Sequence, residues 1–307
     1  MRFFLRHLSM SEHTPSLHRN VTMLLPATDM QATLPLYLPD FGQVTWVDRT
    51  ISTNLDLYNQ ARQDDGHGPR PWLLGAHRQD AGRGRAGRTW HNAPGANLMF
   101  SCAFDVFLPP DRLPALSPLA GMVACEVLRR PLRTGNRPHL TMKWPNDIQW
   151  QSAKLAGILV EATRAGTLRK AADHHVIIIG IGINLQDARA LSQSLQRRIA
   201  DWSQVANADI YAASLSAVSM VADIAHAWRQ AIGDISLHGL ENLVSRFQAV
   251  DALAGKQVNI TDQGKLLQQG VACGINAFGQ LQLRNNQGVH SITVGDVSVR
   301  DRQWSHA

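Results

Sequence analysis

Between Val176 and Leu185 the chain runs ten residues that are apolar except for Gly180, Gly182 and Asn184. The run is far shorter than the ~20 residues of a membrane span. Its β-branched side chains make it a strand buried within a sheet. The two glycines are explained by core packing as readily as by a ligand. They form no dinucleotide fingerprint, because no third glycine opens a helix after them. A buried strand needs neighbours, and the sequence supplies strand-like segments at 43–47, 72–76, 97–104, 140–144, 148–150 and 154–163. Helical spacing appears after Ser52, over Leu119–Leu132 (Met122, Val123, Glu126 and Val127), over Ile210–Ile232 and over Leu240–Val250. The strands are grouped rather than strictly alternating with helices, so the expectation is an α+β fold, a mixed β-sheet with flanking helices. Past Ala254-Gly255, short alternating runs punctuated by Gly264, Gly270, Gly274, Gly279, Gly288 and Gly295 suggest a small β-barrel.

At 307 residues the chain accommodates one large domain, or one large and one small. Residues 1–35 mix His, Ser, Thr and Pro without periodicity, so they are expected to be a disordered tail, or a start assigned too early, with order beginning near Gly42. The formal charge of +6 permits an anionic partner, but it is spread over scattered arginines and raises the case for nucleic acid only modestly. Cys102, Cys125 and Cys273 are far apart and lack metal-ligand spacing, which fits a reducing cytoplasm. The N-terminal Met1-Arg2-Phe3-Phe4-Leu5-Arg6-His7 is followed by no sustained apolar region, so no secretory signal and no membrane anchor are expected.

Three segments carry chemistry. Gly82-Arg83-Gly84-Arg85-Ala86-Gly87-Arg88-Thr89-Trp90 lies between two strands. Its glycines let backbone approach a ligand closely, and its arginines present planar forks suited to carboxylate and phosphate. Trp90 adds a flat surface for a purine or for the loop itself. Read alone, the run serves equally well as a solvated basic turn. Lys143-Trp144-Pro145-Asn146-Asp147 is followed by Lys154-Leu155-Ala156-Gly157-Ile158-Leu159-Val160-Glu161. If a hairpin turns at Gln151-Ser152, side-chain alternation puts Lys143, Asp147 and Lys154 on one face. Two ammonium groups and a carboxylate there can gather a substrate carboxylate, a triphosphate and Mg²⁺, a metal that usually takes only one or two protein carboxylates. The plain alternative is a surface hairpin with solvated lysines.

Together, the segments Arg78–Trp90, Pro94–Leu98, Lys143–Asp147, Lys154–Glu161, Gly180–Asn184 and Gly295–Arg300 resemble, in order, the motifs of the bacterial biotin protein ligases. The resemblance covers about residues 42 to 302. It implies a catalytic domain over 36–252, with the sheet shared by class II aminoacyl-tRNA synthetases and biotin ligases, and an SH3-like domain over 253–307. By this likeness Ser52, Thr53, Asn54 and Gln79 contact biotin. Arg83, Gly84 and Arg85 form the loop that closes over biotin and the adenylate. Lys154 bridges biotin carboxylate and α-phosphate, with Arg85 as a second catalytic group. Lys143, Asn146 and Asp147 serve the phosphates, with Asp147 toward a metal, and Arg88, Trp90, Asn184 and Arg300 complete the ATP site.

The implied activity is ATP-dependent formation of biotinyl-5′-adenylate, then transfer of biotin to a lysine of the biotin carboxyl carrier protein of acetyl-CoA carboxylase. ATP and Mg²⁺ are required, DNA is not expected as a partner, and dimerisation is left open. Asp80 stands where the family usually has a neutral polar residue, and the 62–71 loop is expanded. The DNA-binding domain of repressor-type members has no counterpart in the sequence. The alternatives are a lipoate ligase and a non-enzymatic nucleic-acid binder.

Overall fold

A computed structural model describes residues 24–63, 68–164, 171–262, 265–293 and 297–301. Its helices are α1 (Ala27–Tyr37), α2 (Thr53–Gln63), α3 (Leu116–Arg129), α4 (Ala188–Leu195), α5 (Trp202–Ala208), α6 (Ala217–His238) and α7 (Leu243–Gln248). One sheet contains β1 (Gln43–Thr50), β2 (Trp72–Gln79), β3 (Asn97–Phe107), β4 (Leu140–Lys143), β5 (Asp147–Trp150), β6 (Ala153–Thr163) and β7 (His174–Asn184). A second contains β8 (Gln257–Asp262), β9 (Lys265–Ile275), β10 (Leu281–Asn285), β11 (Gly288–Ile292) and β12 (Val297–Asp301).

The first sheet runs β1-β2-β3-β7-β6-β5-β4. Only β1 and β2 pair in parallel, so the sheet is mixed. The apolar run read from Val176 is β7, flanked on both edges by eleven-residue strands. Alternation assigns its two faces. Ile177, Ile179, Ile181 and Ile183 enter the main core, which also holds α1, α3 and α6 side chains. Val176 and Ile178 point the other way, onto Leu57 and Ala61 of α2. Further along that second face stand Gly180 and Gly182, where the covering helix has ended.

The expected disordered tail is corrected over its last part. Residues 24–35 are described, and Ala27–Tyr37 is a helix, with Met30, Leu34 and Leu38 buried at spacings of four. Gln31 ties it to the sheet: its Nε2 donates to the Val44 carbonyl (3.2 Å), and its Oε1 accepts from the Trp46 N–H (2.6 Å). Residues 1–23 lie outside the described part. Buried spacing, not composition, made the helix, and the surrounding Ser, Thr and Pro obscured it.

Helix ends follow local chemistry. The Ser216 hydroxyl accepts from the Ser219 N–H (3.0 Å), and Gly239 closes α6 at φ 66°. The expected helix from Ile210 therefore begins at Ala217. Upstream, the buried carboxylate of Asp209 accepts from the Arg133 and Tyr211 backbone N–H groups and from Asn136 Nδ2 (2.8, 3.1 and 2.9 Å), which makes a turn there. Burial pushes the Asp209 carboxyl up, but these bonds and the Arg133 guanidinium outweigh it and hold it below the usual carboxylate range.

The second sheet is antiparallel throughout, in the order β11-β10-β9-β8-β12, as expected of a small SH3-like unit. It is fastened beside the lysine motif. Trp144 Nε1 donates to the Gly279 carbonyl (2.9 Å) at a turn between β9 and β10, and the Arg112 guanidinium lies 4.0 Å over the Phe278 ring. Gly279 has φ 72°, and a Cβ there would sit 2.6 Å from Ala115 Cα. Gly279→Val is expected to cost roughly 2–4 kcal/mol, from left-handed backbone strain plus overpacking. Urea unfolding checks it; an unchanged midpoint would show that the junction can yield.

Candidate functional site

The bare end of β7 is the floor of a cleft of about 1840 Å³. Gly180 pairs with Ser101 on β3 and Leu159 on β6. A Cβ at Gly180 would lie 1.9 Å from Asn54 Oδ1 and 2.9 Å from Ser101 Oγ, so the glycine makes room for a polar cluster. That cluster is buried and continuous. Ser101 Oγ donates to Asn54 Oδ1 (2.6 Å), Thr53 and Ser101 hydroxyls lie 2.7 Å apart, and the Thr53 N–H donates to Gln79 Oε1 (2.8 Å). α2 presents these groups because Ser52 ends the preceding segment, its hydroxyl 3.5 Å from the Leu55 N–H it accepts.

The hairpin forms as the sequence predicts. Gln151 and Ser152 take φ 48° and 67°, the left-handed pair of a tight two-residue turn. Lys143 lies opposite Asp147, and Gln149 opposite Lys154, which places all three charged groups on one face. Lys154 Nζ is 2.6 Å from Asp147 Oδ1. The lysine backbone is held on both sides: its N–H donates to the Arg198 carbonyl (3.0 Å), and its carbonyl accepts from the Ala200 N–H (2.8 Å). Gly157, facing Asp147, leaves space for the ammonium, since a Cβ there would meet Lys154 Nζ at 3.2 Å.

The glycine-arginine loop folds back on itself as a narrow ribbon. The Trp90 N–H donates to Gly82 O (2.8 Å) and the Gly84 N–H to Arg88 O (2.6 Å), with Ala86 and Gly87 at φ 54° and 70° forming the tip. The Trp90 ring lies over Gly182, where a Cβ would come within 2.3 Å of it, and Lys154 Nζ lies 5.6 Å from the ring centroid. The loop thus meets the lysine hairpin through Trp90, and its arginines line the same cleft. Asp80, at the loop's entrance, is bonded by Arg49 Nε to both oxygens (2.9 and 2.7 Å) and lies 3.2 Å from Arg78 Nε. The Arg49 hydrogen bond holds its carboxyl below the usual range. Its negative charge is therefore neutralised on the strand side of the loop.

Ser52, Thr53, Asn54, Gln79, Arg83, Gly84, Arg85, Arg88, Trp90, Lys143, Asn146, Asp147 and Lys154 all line this one cleft. Asn184 does not. It is buried, accepts from Asn97 Nδ2 (3.0 Å) and donates to the Lys154 and Ala200 carbonyls (3.3 and 3.1 Å). Asn184, expected at the ATP site, here braces the backbone behind the lysine. Asn146 lines the cleft, but its amide donates to the Ile158 carbonyl (2.7 Å), which pins the loop to β6. Arg300 pairs through its backbone with Asn259, and its side chain lies outside the described residues.

Sequence reading missed Ser101 and the Ser192–Ile199 segment, which also borders the cleft. Nothing local marks that segment; the bridge between Lys154 and Ile199 brings it there. Burial pushes the Cys125 thiol up to about 12 and Cys102 well above its ordinary value, so neither supplies a nucleophile. Among the described residues no group of three or more His, Cys, Asp or Glu forms a metal cage. Asp147 is one accessible carboxylate in a cationic cleft, which suits Mg²⁺ that shares its shell with phosphates and water.

A mixed sheet with a polar pocket at one end, and lysine and arginine groups gathered beside it, suits a ligase that brings a carboxylate to a nucleotide. Residues 46–184 match the biotin/lipoate A/B protein ligase family, and residues 254–300 match the biotin protein ligase C terminal domain. The bifunctional ligase/repressor BirA of Salmonella typhimurium is 30% identical over 267 residues, spanning 86% of this chain and 76% of that protein. The biotin--[acetyl-CoA-carboxylase] ligase of Paracoccus denitrificans is 28% identical, spanning 81% of this chain and 97% of that protein. The biotin protein ligase from Aquifex aeolicus, solved with biotin and ATP, shares the fold at a TM-score of 0.65, with 22% identity over 85% of this chain and 100% of that one. The chain belongs to the biotin/lipoate A/B protein ligase family, and within it to the biotin protein ligases.

Proposed function

We propose that the cleft carries out ATP-dependent biotin ligation in two steps. In the first, a biotin carboxylate oxygen attacks the α-phosphorus of ATP, the bond to the β-phosphate breaks, and pyrophosphate leaves. In the second, the uncharged amine of a carrier lysine attacks the biotinyl carbonyl, AMP departs with the electron pair of the C–O bond, and the amine's extra proton passes to solvent. The observation that carries this reading is the convergence of Lys154, Lys143 and Asp147 with the arginine loop and the buried hydroxyl-amide floor in one cleft.

The main electrostatic task is to bring two anions together, and fixed cations accomplish it through alignment and charge stabilisation. Lys154 bridges the biotin carboxylate and the α-phosphate, exchanging its present partner Asp147 for them. Arg83, Arg85 and Arg88 face the phosphates, and Trp90 covers the adenylate from the β7 side. Ser52, Thr53, Asn54 and Gln79 hold biotin. Mg²⁺, held by Asp147, would supply charge neutralisation at the phosphates. The loop also excludes water from the mixed anhydride.

The proposed acceptor is the biotin carboxyl carrier protein of acetyl-CoA carboxylase, and the proposed location, where ATP is available, is the cytoplasm. No helix among the described residues is long and apolar enough to cross a membrane. The chemistry requires neither DNA nor a second copy. The proposed catalytic unit is 36–252, to which α1 adds from Ala27, and the proposed C-terminal unit is 253–307, of which 302–307 lie outside the described residues. The C-terminal match favours biotin over lipoate.

Purified protein incubated with biotin, Mg²⁺-ATP and a biotin carrier domain is expected to label one carrier lysine and release pyrophosphate, with no labelling from lipoate. Salt-sensitive nucleic-acid binding without ATP consumption would replace this reading with a binder.

A further inference from the structure

Glu161, at the far end of β6 from the hairpin, belongs to none of the roles above. Its carboxylate nevertheless reaches two parts of the cleft. Oε1 lies 2.9 Å from Arg83 Nη2, and Oε2 accepts from Arg83 Nη1 at 3.2 Å, a two-point grip on the loop. Oε2 also accepts from Asn54 Nδ2 at 3.1 Å. The Glu161 side chain is only 19% exposed, whereas Arg83 is 41% exposed, so the carboxylate is the fixed partner.

A carboxylate only accepts hydrogen bonds, so Asn54 must turn its NH₂ toward Glu161 and its carbonyl toward Ser101. Ser101 then spends its single hydrogen on that carbonyl, and Thr53 must be the donor in the 2.7 Å hydroxyl contact. Asn54 Nδ2 also donates to the Leu159 carbonyl (3.3 Å), so the carboxylate and that carbonyl together set the direction of the Asn54–Ser101–Thr53 chain. We propose that Glu161 is a positioning residue for biotin binding: its single carboxylate orders the polar floor through Asn54 and latches the glycine-arginine loop through Arg83. The inference rests on the biotin reading above.

Glu161→Gln is nearly isosteric. It can donate to a flipped Asn54 and cannot hold the Arg83 charge. Isothermal titration is expected to show biotin Kd rising about tenfold or more, and biotinyl-adenylate release accelerating by a similar factor. At saturating biotin, kcat for ATP–pyrophosphate exchange should fall by less than ~3-fold, because Glu161 touches no reacting atom. Arg83→Met, on the exposed loop, is expected to speed release on its own, and the double variant to speed it by clearly less than the product of the two single factors, because the Arg83–Glu161 pair is lost in both.

Unchanged Kd and release in Glu161→Gln would overturn the inference, as would additive effects in the double variant. So would a loss confined to thermal stability. If Glu161→Gln does not fold, Arg83→Met decides the latch, and unaltered release there overturns it. A wild-type protein that fails to bind biotin overturns the ligase reading and this inference together. Wild-type binding beside an indifferent Glu161→Gln removes Glu161 alone.

Discussion

Lys154→Ala is expected to lower biotinyl-adenylate formation by on the order of 10²–10³-fold or more, measured as ATP–pyrophosphate exchange. The truncation removes a positive charge from the point where two anions must meet. It also leaves Asp147, now 2.6 Å from the ammonium, without that partner in the same space. Arginine should not rescue the reaction, because its planar fork does not reproduce a compact ammonium in the gap that Gly157 provides. The fold should be nearly unaffected. The backbone bonds from Lys154 to Arg198 and Ala200 survive, and a partly exposed ion pair contributes at most about 1 kcal/mol. Exchange at wild-type rates would remove this lysine from the centre of the reaction.

Gly182→Val is expected to cost about 10²-fold in kcat/KM for biotin without unfolding the sheet. Valine suits a buried strand, so β7 itself gains a favourable residue. Its Cβ, however, would lie 2.3 Å from the Trp90 ring, and the ring has to leave. Trp90 anchors the loop ribbon through its N–H bond to Gly82, so displacing it reopens the cover over Lys154. The check is a paired measurement of unfolding and of adenylate release. A variant with wild-type KM and slow release would show that Trp90 does not hold the loop. The two glycines of β7, which the sequence leaves open between packing and function, stand on the cleft side of a strand whose alternate isoleucines enter the core.

Much of the site was legible locally. Alternation and the Gln151-Ser152 turn gave the common face of Lys143, Asp147 and Lys154, because a two-residue turn sets register and the pleat sets direction. The Gly82–Trp90 composition allowed an anion-binding loop and a solvated basic turn alike. Other features were hidden for physical reasons. Asn184 sits in a motif that resembles the family's, yet its amide is taken up by neighbouring carbonyls, a partnership visible only once β3, β6 and β7 lie side by side. Met30, Leu34 and Leu38 carry helical spacing, but a single buried stripe among polar residues gains meaning only from the sheet it covers. Ser101 looks like any strand serine until Gly180 opens space opposite it.

The sequence by itself determined the short-range order: which runs are strands, where the hairpin turns, and which residues carry charge or backbone freedom. Those properties depend on neighbours a few positions apart. Tertiary structure alone decided which of these elements meet. Arg83 and Glu161 are 78 residues apart and Asn54 and Glu161 are 107 apart, yet they share one carboxylate. Pleat and period fix the face on which a side chain stands, while strand order and packing against a common core fix what it faces.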